Sequence, residues 1–379
     1  MTVEPLEPSL PDEQANEQAM RRLATLDLPG AGFGALSEFI GWAAGVQANP
    51  KPTPFSSVRV VLLAADHAGG VAAGSSPEAS TRQAQQELAG QGPLARLAAH
   101  AGASLEVVDT GLAGPPLASD VDTRIRNGAA PIEEVDALDE EEAAAGFALG
   151  RKLADSVADS GADLLVVGSA GAGADTAATA AAVFLIGGEP SALLGLVTGP
   201  DGRVDDTAWM TRCAAVRDAL HRVRKRNRDP HTALAALGGP DVAVATGLVL
   251  GASARRTPIL LDGPVGLTAA LLARDIAGPA SHWCLAPDTS RQPAAVMLAE
   301  RLRLEQFLDL RLGLGEGAAA LSALGVLQAS LDLAHRASTG ASAVGNAGGN
   351  AIGDAAAGGG GDAAARASEP ASEPPDAQG

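Results

Sequence analysis

From residue 58 onward the chain alternates short apolar runs, each stopping at an acid or a glycine, with stretches of helical spacing. Residues 58–65 are apolar apart from Arg59 and end at Asp66 and His67; residues 105–108, apolar apart from Glu106, end at Asp109, 164–167 at Gly168, and 258–261 at Asp262 and Gly263. A strand that is apolar on both sides must be covered on both faces, which is the condition of a parallel sheet flanked by helices. The pattern therefore predicts an α/β fold. Ligands in such sheets bind beyond the carboxyl ends of the strands, where these acids and glycines stand.

The remaining segments read as helices and connections. Residues 1–19 carry five acids and no base and are expected to be disordered. Helical spacing follows over 20–26 and 36–47, separated by the glycine-spaced turn 29–34, and Pro50, Pro52 and Pro54 mark a linker over 48–57. Residues 80–101 predict a helix broken near 90–93. Seven acids lie between Glu133 and Glu142, and Asp139 with Glu142 fits a capping box at a solvated helix start. Residues 205–220 predict a helix that runs into the basic cluster Arg222, Arg224, Lys225, Arg226 and Arg228, which is expected on the surface. The low-charge stretch 233–254 is interrupted by Gly238, Gly239, Pro240 and Asp241, so it reads as helix, turn and helix and not as a membrane crossing.

Composition excludes several partners. The 379 residues are 46% hydrophobic, enough for a full core, but aromatics are 2% with no tyrosine, so there is no platform for stacking single-stranded bases. A formal net charge of −18 repels phosphate backbones, and neither DNA nor RNA is an expected partner. Cys213 and Cys284 are too few for a metal cluster or a disulfide framework, as in a reducing cytoplasm. The acidic N-terminus has the wrong charge for a signal peptide. A cytoplasmic protein without a membrane segment is expected.

Two stretches carry chemistry. In the run 312–321, Glu316 is flanked by Gly315 and Gly317 and otherwise by small apolar residues. A carboxylate there would lose hydration when a site closes, which raises its pKa and makes it a stronger proton acceptor. The alternative is an acid placed in a first helical turn by the helix dipole. The loop Gly168-Ser169-Ala170-Gly171-Ala172-Gly173 joins a strand to an alanine-rich helix, an arrangement that lets backbone N–H groups approach an anion but that any tight turn also shows. It has no Lys-Ser/Thr pair and lacks the third glycine of a dinucleotide fingerprint, which disfavours an NAD-dependent dehydrogenase. His67 is a further candidate, or simply a loop histidine bonded to a carbonyl.

Taken together, these stretches resemble the nicotinate-nucleotide:dimethylbenzimidazole phosphoribosyltransferase family of cobalamin synthesis over roughly residues 20–335. The resemblance rests on Leu36, Ala65-Asp66-His67, Pro77, Thr81 and Gln83. It continues in Gly168, Gly171, Gly173 and Thr176, in Thr198-Gly199, Leu237-Gly238-Gly239 and Leu260-Leu261-Asp262-Gly263, and above all in Leu314-Gly315-Glu316-Gly317. It implies a Rossmann-like parallel sheet with a small helical domain built from the N- and C-terminal segments, in a homodimer. It implies no cofactor and no metal. The implied substrates are nicotinate mononucleotide and a benzimidazole base, with Glu316 as general base and Gln83 touching the base. The nucleotide would be held by Gly168, Ser169, Gly171, Gly173, Thr176, Thr198, Gly199 and Arg212, with Asp262, Leu314 and Gly315 completing the site.

The chain departs from the family pattern at several of these positions. Ser169 and Ala174 replace a glutamate and an asparagine, Leu196 and Gly313 replace arginines, and Arg212 matches a lysine. These departures motivate a second reading, a non-catalytic paralogue that binds a nucleotide or base as a sensor or delivery module. The expected organisation is a disordered acidic segment 1–19, helical parts 20–57 and 301–336 closing a phosphoribosyltransferase domain 58–300, and a disordered Gly/Ala-rich tail 337–379.

Overall fold

The computed structural model describes residues 7–30, 32–117, 123–199 and 201–338. Five parallel strands, β1 (Val58–Ala65), β2 (Ser104–Gly111), β3 (Leu164–Ala170), β4 (Ile259–Leu260) and β5 (Cys284–Leu285), stand in the order β2-β1-β3-β4-β5. The first four match the apolar runs. β5 was not expected, because two residues carry no periodicity.

Alternation along the strands divides the interior in two. Val61, Leu63, Leu165, Val167 and Ile259 point into one core, while Val60, Leu62, Leu164, Val166 and Leu260 point into the other. The first core is covered by α5 (Glu140–Asp159), α6 (Ala174–Ile186), the short α7 (Pro190–Leu193), α8 (Asp206–Val223), α9 (Pro230–Ala233), α10 (Gly239–Ala254), α11 (Pro264–Ile276) and α12 (Pro293–Leu302). The second is covered by α2 (Leu36–Val46), α4 (Pro93–His100) and α13 (Ala318–Arg336). Phe39 and Ile40 of α2 and Leu324, Leu327 and Leu331 of α13 lie directly against the sheet, so the terminal segments share its core. With α3 (Pro77–Leu88) and α1 (Glu13–Leu23) the α-helices are complete among the described residues.

Small residues bring these helices close. A β-carbon on Gly150 of α5 would stand 2.0 Å from the Val244 carbonyl oxygen of α10, and one on Gly247 would stand 2.0 Å from the Phe147 carbonyl oxygen, so the two helices are in backbone contact. This is how a core with few aromatics is filled. The capping box is formed as expected: Asp139 accepts from the Glu142 N–H and the Glu142 side chain from the Asp139 N–H.

Two expectations need correction. Residues 13–19 are helical, not disordered: Asp12 caps α1 by accepting from the Ala15 N–H, and Ala15 and Ala19 are buried. Gly41 and Gly45 of α2 leave room for Asp12 and Asn16, so the contact needs no large apolar side chain. The stretch 233–254 is not helix, turn and helix: a π-helical turn over Leu234–Gly238 passes directly into α10, with Gly239 at φ +74° absorbing the change. The continuous stretch Pro230–Ala254 is long and apolar enough to cross a membrane, as is α13, but 94% of its most apolar window is buried, as befits a core helix. The tail expected to be disordered lies, from residue 339 on, outside the described residues.

Candidate functional site

The carboxyl ends of β3, β4 and β5 open into a cavity of about 460 Å³. Its walls come from Ser169 and Ala170 at the end of β3 and Gly171 after it, Asp262, Gly263 and Pro264 after β4, and Asp288, Ser290, Arg291 and Gln292 after β5, with Gln83 of α3 and Leu312, Gly313, Gly315 and Glu316 over the top. The volume suits a small organic ligand.

Glu316 sits in this wall, two residues ahead of α13. Its carboxylate does not serve α13. Oε1 accepts from the Gly266 N–H (2.6 Å) and Oε2 from the Val265 N–H (3.2 Å), so it caps the N-terminus of α11. The arrangement is reciprocated. Asp262, which precedes α11, accepts from the N–H groups of Gly317 (2.5 Å), Ala319 (2.7 Å) and Ala320 (3.0 Å) and so caps α13. Each helix is capped by the acid that leads into the other. Gly263 is required at the crossing, because a β-carbon there would stand 2.4 Å from Glu316 Cδ.

Burial sets the protonation of both acids. Loss of hydration, helped by the neighbouring Asp262 charge, pushes Glu316 up to about 8 against the pull of its two backbone donors. Burial likewise raises Asp262 to about 6, opposed by its three N–H groups. Glu316 is thus a carboxyl group poised to exchange a proton near neutrality, held in place at the edge of a cavity.

The glycine loop is ordered from below. Asp66 at the end of β1 accepts from the Ala172 and Ala113 N–H groups (2.8 and 2.9 Å). At Gly171 the loop lies so close to β1 that a β-carbon would stand 1.6 Å from the Ala65 carbonyl oxygen. His67 is not bonded to a loop carbonyl. Its Nε2 lies 3.0 Å from Asp241 Oδ1, with both side chains fully buried, and Gly239 packs on the ring. This pair lies beneath the loop and outside the cavity wall.

The structure brings Gln83, Ser169, Gly171, Thr198, Asp262, Gly315 and Glu316 together around the cavity; Gly168, Gly173, Thr176, Gly199, Arg212 and Leu314 are not in its wall. Gly168 and Gly173 shape the loop, and Leu314 is exposed. Arg212 is buried behind α6 with its donors committed: Nε to the Ala73 carbonyl (2.8 Å), Nη2 to Ser75 Oγ (2.8 Å), and Nη1 to Asp175 Oδ1 (3.2 Å) and Thr176 Oγ1 (3.1 Å). Asp175 does face the cavity, with Gln292 Nε2 3.3 Å from its Oδ2. Sequence reasoning missed the wall formed by Asp288, Ser290, Arg291 and Gln292. The one local signal was Gln292-Pro293, a proline at the first position of a helix.

Comparison with known proteins agrees with this geometry. A family model described as a phosphoribosyltransferase matches residues 9–344. The nicotinate-nucleotide–dimethylbenzimidazole phosphoribosyltransferase of Streptomyces avermitilis is 40% identical over 332 residues, 86% of this chain and 87% of that protein. Its counterpart from Mycobacterium tuberculosis is 37% identical over 327 residues, 85% of this chain and 89% of that protein. The crystal structure of the Thermus thermophilus enzyme of the same name superposes with a TM-score of 0.80 at 29% identity, covering 88% of this chain and 98% of that one. With a match along nearly its whole described length and the paired acids Asp262 and Glu316 at the carboxyl edge of the sheet, the chain belongs to the nicotinate-nucleotide:dimethylbenzimidazole phosphoribosyltransferase family.

Proposed function

We propose that the chain transfers the phosphoribosyl group of nicotinate mononucleotide to 5,6-dimethylbenzimidazole or a related base, giving α-ribazole 5′-phosphate and nicotinate for the lower ligand of cobalamin. A ring nitrogen of the base forms the new bond to ribose C1′ as the bond from C1′ to the nicotinate nitrogen breaks. The electron pair leaves with nicotinate, and attack from the opposite face inverts C1′. The other ring nitrogen of the base becomes acidic as its partner attacks, and Glu316 takes that proton.

The observation that carries this reading is the placement of Glu316: a carboxyl group raised to about 8 and fixed by two backbone donors at the cavity edge. Fixed placement supplies much of the rate in a two-substrate reaction. In this reading Gln83 and Gly315 meet the base, and Ser169, Gly171, Thr198 and Asp262 border the nucleotide. Gly168, Gly173 and Gly199 keep the loops close, Leu314 shields the entrance, and Arg212 with Thr176 positions Asp175. Residues 58–300 form the transferase domain, closed by 20–57 and 301–336. A cytoplasmic homodimer completes the proposal.

The test is direct. Purified protein is incubated with nicotinate mononucleotide and a panel of benzimidazoles, and α-ribazole phosphates are sought by mass. Absence of product with every base at high protein concentration would refute the reading.

A further inference from the structure

We infer that Arg291 is the residue that recognises the 5′-phosphate of the nucleotide, an inference that rests on the function proposed above. The cavity wall holds four carboxyl groups, Asp175, Asp262, Asp288 and Glu316, and Arg291 is its one cation among the described residues. With Glu316 largely protonated near neutrality, a phosphate dianion entering such a space still meets carboxylates and has one positive charge to meet.

The start of α6 is already occupied by a carboxylate. Asp175 stands in the first turn of α6, where its Oδ1 accepts from the Thr176 N–H (2.8 Å) and from Arg212. The helix dipole and the buried guanidinium are therefore engaged by an internal acid, and a second anion there would face that acid directly. Arg212 does not line the cavity.

Arg291 is in the opposite condition. Its guanidinium has no hydrogen bond or ion pair among the described residues, and it is exposed to the cavity mouth. It lies against Gly313, where a β-carbon would stand 2.9 Å from Nη1, so the absent side chain at 313 leaves the room this guanidinium takes. Gly313 is three residues before Glu316 in the same cavity-lining segment. A planar guanidinium with free donors suits bidentate contact with phosphate oxygens. In the same wall, Asp288 Oδ2 and Ser169 Oγ are buried without a partner, two polar atoms suited to ribose hydroxyls.

The experiment compares wild type, Arg291→Gln and Arg291→Lys on three donors: nicotinate mononucleotide, nicotinate riboside, which lacks the phosphate, and nicotinamide mononucleotide, which lacks the ring carboxylate. Turnover and equilibrium binding are both measured. Loss of a charge-assisted contact should weaken nicotinate mononucleotide about 10- to 100-fold in Arg291→Gln. Nicotinate riboside should be weakened far less, so that the preference for the phosphorylated donor collapses, and Arg291→Lys should restore part of it. The α-ribazole phosphate product should also bind more weakly to Arg291→Gln, because it keeps the phosphate. An unchanged preference for phosphate would overturn the inference. So would a loss that follows the ring carboxylate, which would assign Arg291 to nicotinate instead. An active wild type with either result removes this inference alone, whereas a wild type that makes no product with any base removes the proposed function and this inference with it.

Discussion

Replacing Glu316 with glutamine separates its two roles. The carboxylate caps α11 through two N–H groups, and an amide offers one oxygen and turns an NH₂ toward the other donor. Losing one partly buried hydrogen bond costs about 1–3 kcal/mol, so Glu316→Gln should melt lower by several degrees whether or not the residue is catalytic. Turnover is what discriminates. A general base contributes about 10²- to 10⁴-fold, roughly 3–5 kcal/mol of barrier, and an amide cannot replace it. In wild type kcat/KM should rise with pH through about 8 as Glu316 ionises, and this limb should vanish in the variant. Stability runs the other way. The folded value of about 8 lies above the ordinary 4.5, so between them the native state holds a proton that the unfolded chain has lost. Wild-type stability therefore drains away as pH rises from about 4.5 to 8, and the variant, lacking this slope, should recover against wild type over that window. The assays are steady-state kinetics from about pH 5.5 to 9 and melting curves at the same values, a range that brackets the Glu316 titration. Near-normal turnover in Glu316→Gln with the rise through about pH 8 intact would refute the general-base role, leaving the carboxylate as a helix cap alone.

Asp262→Ala removes three acceptor contacts at the start of α13 and should cost about 1–3 kcal/mol, read by denaturant unfolding, with a loss of turnover beyond what the fraction unfolded explains because Glu316 is no longer anchored. Gly171→Ala would force a β-carbon onto the Ala65 carbonyl, so soluble yield or melting temperature should fall sharply, whereas alanine at exposed Gly325, which meets nothing, should not lower it. His67→Ala leaves Asp241 buried without its partner and should cost about 3–5 kcal/mol in unfolding free energy, with Asp241→Asn milder because it removes the orphaned charge.

β1, β3 and β4 were legible because they are apolar on both sides, while β2, which carries Glu106 and is only half-buried at its start, was legible as the second strand of a βαβ unit, and the acids at strand ends marked the ligand-binding edge. Glu316 was legible from its two glycines, although the sequence offered the helix that follows it as its helical partner, whereas its carboxyl group caps α11. The cross-capping with Asp262 depends on two segments more than fifty residues apart meeting at one edge, which spacing does not encode. The wall at 288–292 was hidden because β5 is too short to announce its own end. Arg212 and Thr176 were expected at the nucleotide, but the packing of α8 against α6 turns them inward, and side-chain direction of that kind is set by tertiary contact. Residues 13–19 of α1 were missed because their buried face is alanine against glycine, a surface with almost no hydrophobic signal.

The crossed caps at Asp262 and Glu316 work like a joint with two pins set in opposite senses. Five N–H groups from two helices close on two carboxyl groups, and no pin can be drawn without loosening the helix it enters. Sliding α13 away from α11 by about one hydrogen-bond length would uncap both helices together and carry the carboxyl of Glu316 out toward water, where its proton is held less tightly. Closure of the wall and readiness of the acid are consequently one mechanical state, and a substitution at the crossing that shifts the two helix starts will be felt first as a change in the pH at which the protein works.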